Sequence, residues 1–282
     1  MNGNESRLVW LLTVPALTVI AGVATFPILW TFWESLHRHD LRMPWIGMPF
    51  VGLDNYLEVF ADRRAWSALL HTVFFVATTV AIELVLGLAL ALGLHRVSRG
   101  RGLLRTAALL PWAVPTVVGA LIWRFIFESP LGPVWFADAS AAWLPIVVAD
   151  VWKATPFVAL LLLAGLQQIN PALDEAASLD GAGALRRLRE ITLPLLAPAL
   201  AAAIVFRSLD AFRVFDVIYV LTGGGPGTAT EPISLYAFSV LFRELRIGYG
   251  SALSMLVFAV SFVLALVWIK LLGAARAGDV GS

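Results

Sequence analysis

Residues Asn170 to Pro194 read NPALDEAASLDGAGALRRLREITLP and form a long polar interruption between two apolar runs. Pro171 directly after Asn170 is a typical helix start, and Gly181 marks the end of that helix. A second short helix, Ala184 to Glu190, then carries three arginines on its polar face. We therefore expect a helix–turn–helix that lies along a membrane surface between two membrane spans.

The composition indicates a polytopic membrane protein. Of the 282 residues, 60% are hydrophobic and only 14% are charged, which excludes a soluble globular domain. Cysteine is absent and the four histidines are scattered, so we expect neither disulfides nor a bound metal. The net charge of +1 gives no indication of nucleic-acid binding, and we expect none.

Hydropathy predicts an all-α fold with six transmembrane helices in a single domain, residues 1–282. The expected spans are residues 8–36, 67–94, 103–127, 142–168, 193–220 and 251–272. The first apolar run is too long for the core of a signal peptide, so we interpret it as a retained span.

The distribution of arginine predicts the orientation of these spans. The short loop His95 to Arg105 holds four arginines and no acid, whereas the connection after the third span holds Glu128 and Asp138 without Lys or Arg. Because cytoplasmic loops are enriched in Lys and Arg, we expect the loop at 170–192 and both termini to be cytoplasmic.

The polar interruption resembles the coupling loop of a known family. The motif consists of Glu175-Ala176-Ala177, then Asp180-Gly181-Ala182, then Ile191, Leu193 and Pro194. It is similar to the EAA loop in the membrane subunits of binding-protein-dependent ABC importers, although Leu188 stands where the family usually has an aromatic residue. The resemblance implies that this coupling helix docks on a cytoplasmic ATPase.

The same resemblance implies a transport subunit that is not an enzyme. No lysine follows a glycine in this chain, so it has no Walker A motif, and we expect ATP and Mg²⁺ to be bound by the partner ATPase and no cofactor by this chain. The sequence also offers no Ser/His/Asp set for catalysis, and no catalytic residue is predicted.

Other stretches resemble permeases of the carbohydrate type, including the trehalose and maltose class. They are VGLDNYLEVF (51–60), WKATPF (152–157) and FDVIYVLTGGGP (215–226). The resemblance implies a disaccharide substrate such as trehalose or maltose, with glycerol phosphate or an oligosaccharide as alternatives. Besides the lipid bilayer, it implies three kinds of partner. They are a second, different permease subunit, two copies of the cytoplasmic ATPase, and an extracytoplasmic sugar-binding protein that docks on Gly223, Gly224, Gly225 and Pro226. A homodimer is the alternative arrangement.

Two helical faces carry charges inside apolar spans, with members at i, i+3, i+4 and i+7. They are Asp150, Lys153, Ala154 and Phe157 in the fourth span, and Arg207, Asp210, Ala211 and Val214 in the fifth. An isolated ion at the centre of a bilayer costs about 2.5 to 3.5 kcal/mol, so these groups should face water or each other. The family resemblance implies that the two faces line the sugar pathway. The alternative is an ion-pair network of Asp150, Lys153, Arg207 and Asp210 that only locks the two spans together.

The buried acids leave another class of function open. In an ion-coupled secondary transporter, Glu83, Asp150 and Asp210 would be candidate proton relays. A structural role for Glu83 is the simpler interpretation, with Arg124 in the next span as its expected partner.

Overall fold

A computed structural model describes residues 3–97, 100–128 and 135–279. Within these ranges the chain forms twelve α-helices and no β-strand, which confirms the all-α prediction. The helices are α1 (Gly3–Ser35), α2 (Asp54–Ala61), α3 (Arg63–Arg96), α4 (Arg101–Ala113), α5 (Thr116–Phe127), α6 (Trp143–Leu166), α7 (Pro171–Leu179), α8 (Ala184–Arg187), α9 (Leu193–Phe212), α10 (Asp216–Leu221), α11 (Ile233–Phe242) and α12 (Ile247–Asp279).

Five of the helical segments in the described ranges are long and apolar enough to cross a membrane, and there are six spans if the bent pair α4 and α5 counts as one. The five are Thr13–Ser35, Arg63–Arg96, Trp143–Leu166, Ala184–Phe212 and Ile247–Trp268. The chain is therefore an all-α, polytopic membrane protein.

The third predicted span is not one helix. The axes of its two halves, α4 and α5, meet at 84°. Pro115 follows Val114, whose backbone is extended at φ −67° and ψ 130°. Proline lacks an N–H group and disfavours the helical conformation in the residue before it, so the expectation of a continuous helix over 103–127 is wrong.

The fifth predicted span has different ends. Its helix stops at Phe212 and the chain restarts as α10, so the expectation that it continues to residue 220 is wrong. At the other end, α8 runs through a π-helical turn, Leu188–Thr192, directly into α9. Pro194 has no N–H group to bond to the carbonyl four residues earlier, and a π-helical turn accommodates such a gap.

The last part of the chain also differs from the sequence prediction. The final helix begins at Ile247 rather than at residue 251, and it continues beyond residue 272. Before it lies α11, a helix of ten residues that the hydropathy pattern did not predict. A helix of this length is too short to cross a bilayer, which is why a search for spans misses it.

The helices are organised in two compact units. The first combines the chain up to Trp66 with Tyr236–Val260, and the second combines Ser67–Leu235 with the residues from Ser261 onward. In the first unit, the amide of Asn55 in α2 donates to the carbonyl oxygens of Ser35 and His37 at 2.7 and 3.0 Å. These bonds fix the segment between α1 and α3.

Asp62 joins three helices of the first unit. One carboxylate oxygen accepts the N–H of Arg64 at 2.8 Å, which caps the start of α3. The other accepts the hydroxyls of Tyr236 in α11 and Tyr249 in α12. Burial raises the pKa of Asp62, but the two tyrosine hydrogen bonds, together with those from the backbone N–H groups of Arg64 and Ala65, outweigh it and hold the pKa below its usual 3.8.

Helix α6 forms the centre of the second unit. Its side chains Ile146, Val158 and Leu162 are fully buried. Where α6 meets α9, a Cβ atom on Gly165 would lie 2.6 Å from the Cβ atom of Ala199, so the two helices approach each other closely. This packing holds α6 and α9 side by side.

Candidate functional site

A cavity of about 520 Å³ lies in the second unit, next to the break between α4 and α5. All eight residues of the two predicted charged faces border it: Asp150, Lys153, Ala154 and Phe157 from α6, with Arg207, Asp210, Ala211 and Val214 from α9 and the turn after it. Its volume is in the range of small-molecule sites, about 300 to 1,000 Å³.

Arg207 is the centre of the charged wall. Its Nε and Nη2 atoms donate to the two carboxylate oxygens of Glu83 at 2.5 and 2.8 Å. Nη2 also donates to Asp150 at 3.0 Å, and Nη1 donates to Asp210 at 2.5 Å. Three carboxylates thus surround one guanidinium, in the forked geometry that suits an arginine.

The members of this cluster differ in their exposure. The Arg207 side chain is 5% exposed and Glu83 is fully buried, so this pair belongs to the protein interior. The Asp210 side chain is 68% exposed. Of the three carboxylates, Asp210 is the most exposed to the contents of the cavity.

Glu83 does not pair with Arg124, so that expectation is wrong. Arg124 lies in α5, beyond the corner with α4, where it donates to Glu128 at 2.8 Å and to the carbonyl oxygen of Val220 at 2.9 Å. The corner redirects α5, so proximity along the chain did not identify the neighbour of Glu83.

Lys153 is not part of the ion-pair network that the sequence left as an alternative. Its ammonium donates to the carbonyl oxygens of Val114 at 2.5 Å and Trp112 at 3.4 Å. These carbonyls lie at the end of α4, where the break removes the N–H groups that would otherwise bond to them. A cation at this position also interacts favourably with the helix dipole.

Aromatic side chains border the same cavity. The ring of Phe157 lies parallel to that of Trp112, with the centroids 5.9 Å apart, and edge-on to Phe206 at 6.4 Å. Trp112, Phe206 and Phe215 border the cavity but were not predicted. Pro111 and Pro115 around Trp112 were the signal for a break, and Phe206 adjoins the predicted face of α9.

Metal binding finds no support in this cluster. Among the residues that the structure describes, no group of His, Cys, Asp and Glu side chains has the arrangement of a metal site. The three carboxylates here are bonded to Arg207.

The segment predicted to couple to an ATPase is an exposed helical turn. The side chain of Asn170 accepts the N–H of Ala172 at 3.1 Å and caps α7. Gly181 has φ +80°, a left-handed conformation that suits glycine, and it ends this helix. Four of the six predicted coupling residues are exposed and two are half-buried; the six are Glu175, Ala176, Ala177, Asp180, Gly181 and Ala182.

The two short helices of this segment are linked to each other. Arg187 Nε in α8 lies 3.4 Å from a carboxylate oxygen of Asp174 in α7. Glu175 borders a groove of about 500 Å³ together with His95 and Arg96 at the end of α3. The second helix is α-helical only as far as Arg187, so its expected extent to Glu190 is wrong.

The glycine-rich turn at Gly223 to Pro226 is held by internal hydrogen bonds. Thr230 donates from Oγ1 to the carbonyl oxygen of Gly225 at 2.8 Å. Gly224 is buried at φ +93°, and a Cβ atom there would lie 3.1 Å from Cδ2 of Leu235. Gly224 therefore supports the turn from inside, whereas Gly223 is exposed.

Residues 83–276 match the family model described as "Binding-protein-dependent transport system inner membrane component". The chain belongs to this family. It is a permease, and the matched residues include the charged cavity, the coupling segment and the glycine-rich turn.

Relatives of this permease extend the match over nearly the whole chain. It is 45% identical over 280 residues to the trehalose/maltose transport system permease protein MalF of Thermococcus litoralis, which covers 95% of this chain and 94% of that protein. It is 42% identical over 283 residues to the trehalose transport system permease protein SugA of Mycobacterium tuberculosis, covering 97% and 91%.

A solved structure shows the same fold. The permease aligns with a chain of a bacterial ABC transporter involved in the import of the acidic polysaccharide alginate, with a TM-score of 0.80 and 96% of both chains covered. The two sequences are 20% identical, so this likeness concerns the fold alone.

Proposed function

We propose that this permease is the membrane-spanning subunit of an ATP-driven sugar importer and that its substrate is a disaccharide such as trehalose or maltose. The observation that carries the proposal is the cavity itself, which is bordered by the Phe157 and Trp112 rings and by the carboxylates of Asp150 and Asp210. Aromatic rings pack against the apolar faces of sugars and carboxylates accept bonds from their hydroxyls. The transport substrates in the names of the two relatives support the same class.

The energy for transport comes from a separate ATPase subunit. The coupling segment around Glu175 and Gly181 is exposed and linked to α9 through α8 and the π-helical turn. In the proposed mechanism, a cytoplasmic ATPase binds ATP and Mg²⁺, moves α7, and so shifts α9 with its cavity residues. The termini are on the same cytoplasmic side.

The proposed assembly contains this chain, a second and different permease subunit, and two copies of the ATPase. Its other component is an extracytoplasmic sugar-binding protein that docks near the glycine-rich turn. The family description, a binding-protein-dependent system, supports that component.

An ion-coupled secondary transporter is less well supported. All three of its candidate relay acids, Glu83, Asp150 and Asp210, are bonded to Arg207. Membership of a binding-protein-dependent family favours the importer.

The proposal is tested by reconstituting the complete importer in proteoliposomes and measuring ATP-dependent uptake of labelled trehalose and maltose. Phe157→Ala should raise the sugar concentration needed for half-maximal uptake, since it removes an aromatic contact, while the amount of assembled complex stays normal.

Glu175→Lys should leave the rate of ATP hydrolysis unchanged but reduce sugar uptake. Unchanged uptake by Glu175→Lys would show that force does not enter at this segment, and an unchanged half-maximal concentration for Phe157→Ala would place the sugar elsewhere.

A further inference from the structure

We propose that this cavity selects an uncharged polyhydroxy ligand and rejects a phosphorylated one, and that Asp210 is the specificity-determining residue. The inference rests on the proposed function of the cavity as a sugar site. It separates two substrates that the sequence left open, a neutral disaccharide and a phosphate ester such as glycerol phosphate.

The deepest cation of the cavity cannot serve an anionic ligand. Arg207 donates from Nε, Nη1 and Nη2 to three carboxylates: Glu83, Asp150 and Asp210. One guanidinium against three carboxyl groups leaves no net positive charge unless all three are protonated. An arginine in this state cannot bind a phosphate without losing one of these partners, and the side chains of Glu83 and Asp150 are buried or largely buried, where an unpaired carboxylate is costly.

Lys153 is likewise occupied. Its ammonium is bonded to the carbonyl oxygen of Val114 and directed at the negative end of the α4 dipole, which offsets its charge. Arg207 and Lys153 are of the residue types that usually bind phosphate groups, and the protein itself engages both of them.

The remaining charged residues at the cavity form a balanced set. Arg213 and Asp216 both border it and both are exposed, with opposite charges. The most exposed charge of the Arg207 cluster is then the carboxylate of Asp210, because Arg207 and Glu83 are buried.

Asp210 presents that negative charge to the ligand. Its side chain is 68% exposed, and its bond to Arg207 uses Oδ2. Oδ1 is then in a position to accept a hydrogen bond from a sugar hydroxyl. A phosphate monoester carries a charge of about −1.5 to −2 and would meet a like charge at the same place.

The test uses the absence of cysteine from this chain. Thr116 borders the cavity, so Thr116→Cys introduces a single thiol into this subunit at the site. The assembled importer in nanodiscs, without the binding protein, is treated with an uncharged maleimide, and labelling of this subunit is followed by mass spectrometry. Protection by trehalose and by trehalose 6-phosphate then measures binding of each compound to the cavity, free of the selectivity of the binding protein.

We expect half-protection by trehalose at a concentration at least tenfold lower than by its 6-phosphate, which corresponds to about 1.4 kcal/mol of discrimination. Asp210→Asn should reduce this ratio by about tenfold, since it removes the like charge and frees one guanidinium N–H. Arg207 retains Glu83 and Asp150 in that variant, so the protein should fold, as its thermal unfolding would show.

Asp216→Asn is the matched control, because it makes the same charge change at the same cavity without contacting Arg207. It should alter the protection ratio by less than about threefold.

If trehalose and its 6-phosphate protected the Thr116→Cys protein equally, the inference would be overturned, but the proposal that the cavity binds sugar would not. An equal change of the ratio in Asp210→Asn and Asp216→Asn would overturn the role of Asp210. Absence of protection by trehalose would contradict the proposed function, and the inference would fall with it.

Discussion

Among single residues, Arg207 has the largest expected effect on stability. In Arg207→Met, Glu83 and Asp150 would stay buried without a counter-charge, and removing one partner of a buried ion pair typically costs about 3 to 5 kcal/mol. We expect little assembled protein in the membrane and a strongly lowered midpoint of thermal unfolding in detergent.

A matched control for Arg207 is Arg186→Met. Arg186 pairs with Glu190 at 2.9 Å on the exposed surface of the coupling segment, where such a pair contributes about 0.3 to 0.5 kcal/mol. If both variants unfolded at the same temperature, the buried cluster at Arg207 would contribute no more to stability than the exposed pair of Arg186 and Glu190.

Asp62 is the residue whose contribution should depend on pH. Its pKa is held below 3.8, so the carboxylate stabilises the folded state fully above that pH and loses this contribution as the pH falls through its lowered folded-state pKa. Asp62→Asn weakens the acceptor for two tyrosine hydroxyls, and hydrogen bonds to charged groups contribute about 1.5 to 3 kcal/mol.

We therefore expect Asp62→Asn to unfold at a lower temperature than the unaltered protein at pH 7, with a smaller difference at pH 3. Thermal unfolding in detergent at the two pH values is the measurement. The same difference at both would show that the charge of Asp62 is not what stabilises this contact.

At the scale of helices, the break between α4 and α5 depends on Lys153 of α6. Lys153→Met would leave the carbonyl oxygens of Val114 and Trp112 without their donor, and an unpaired buried polar group costs about 1 to 3 kcal/mol. We expect reduced thermal stability with little change in trehalose protection of Thr116→Cys. A large loss of affinity at normal stability would instead place the ammonium on the sugar.

The turn between α7 and α8 offers a pair of glycines for a direct comparison. A Cβ atom would meet nothing within 4 Å at either Gly181 or Gly183, but only Gly181 has a positive φ. A left-handed conformation costs an L-residue about 1 to 2 kcal/mol, so Gly181→Val should distort the turn and lower uptake relative to ATP hydrolysis. Gly183→Val should leave this ratio near that of the unaltered protein, and equal effects would show that the shape of the turn is irrelevant to coupling.

The sequence predicted which segments are helical more accurately than it predicted where the helices end and which side chains contact each other. Spacing grouped the residues of each charged face, because residues at i, i+3 and i+4 share a helical face whatever the helix packs against. The family resemblance then assigned the faces of Asp150 and Arg207 to one pathway. The end of α9 at Phe212 and the partner of Glu83 were missed, since both depend on contacts between segments far apart in the chain. Trp112 joined the site only because the chain turns a corner there, which hydropathy does not report.

At the scale of the whole assembly, the glycine-rich turn should contribute to docking through its exposed part. Thr228 lies two residues after this turn and is exposed, and Thr228→Trp adds bulk without requiring a left-handed backbone at a glycine position. We expect it to lower the ATPase rate stimulated by the binding protein and to leave the basal rate unchanged. Gly224→Ala should lower both rates, since its Cβ atom would press on Leu235 inside the turn. Full stimulation of Thr228→Trp would place the docking surface elsewhere.

The corner between α4 and α5 also limits how such subunits can be recombined. Consider a chimera that takes α4 and α5 from one homologue and α6 from another. It would contain the carbonyl oxygens of Trp112 and Val114 that lack helical partners, but it would have their donor only if the second homologue also has a lysine at position 153. Lys153 and the corner must therefore come from the same parent sequence. Chimeras of related permeases should be stable only when the crossover points lie outside residues 101–166.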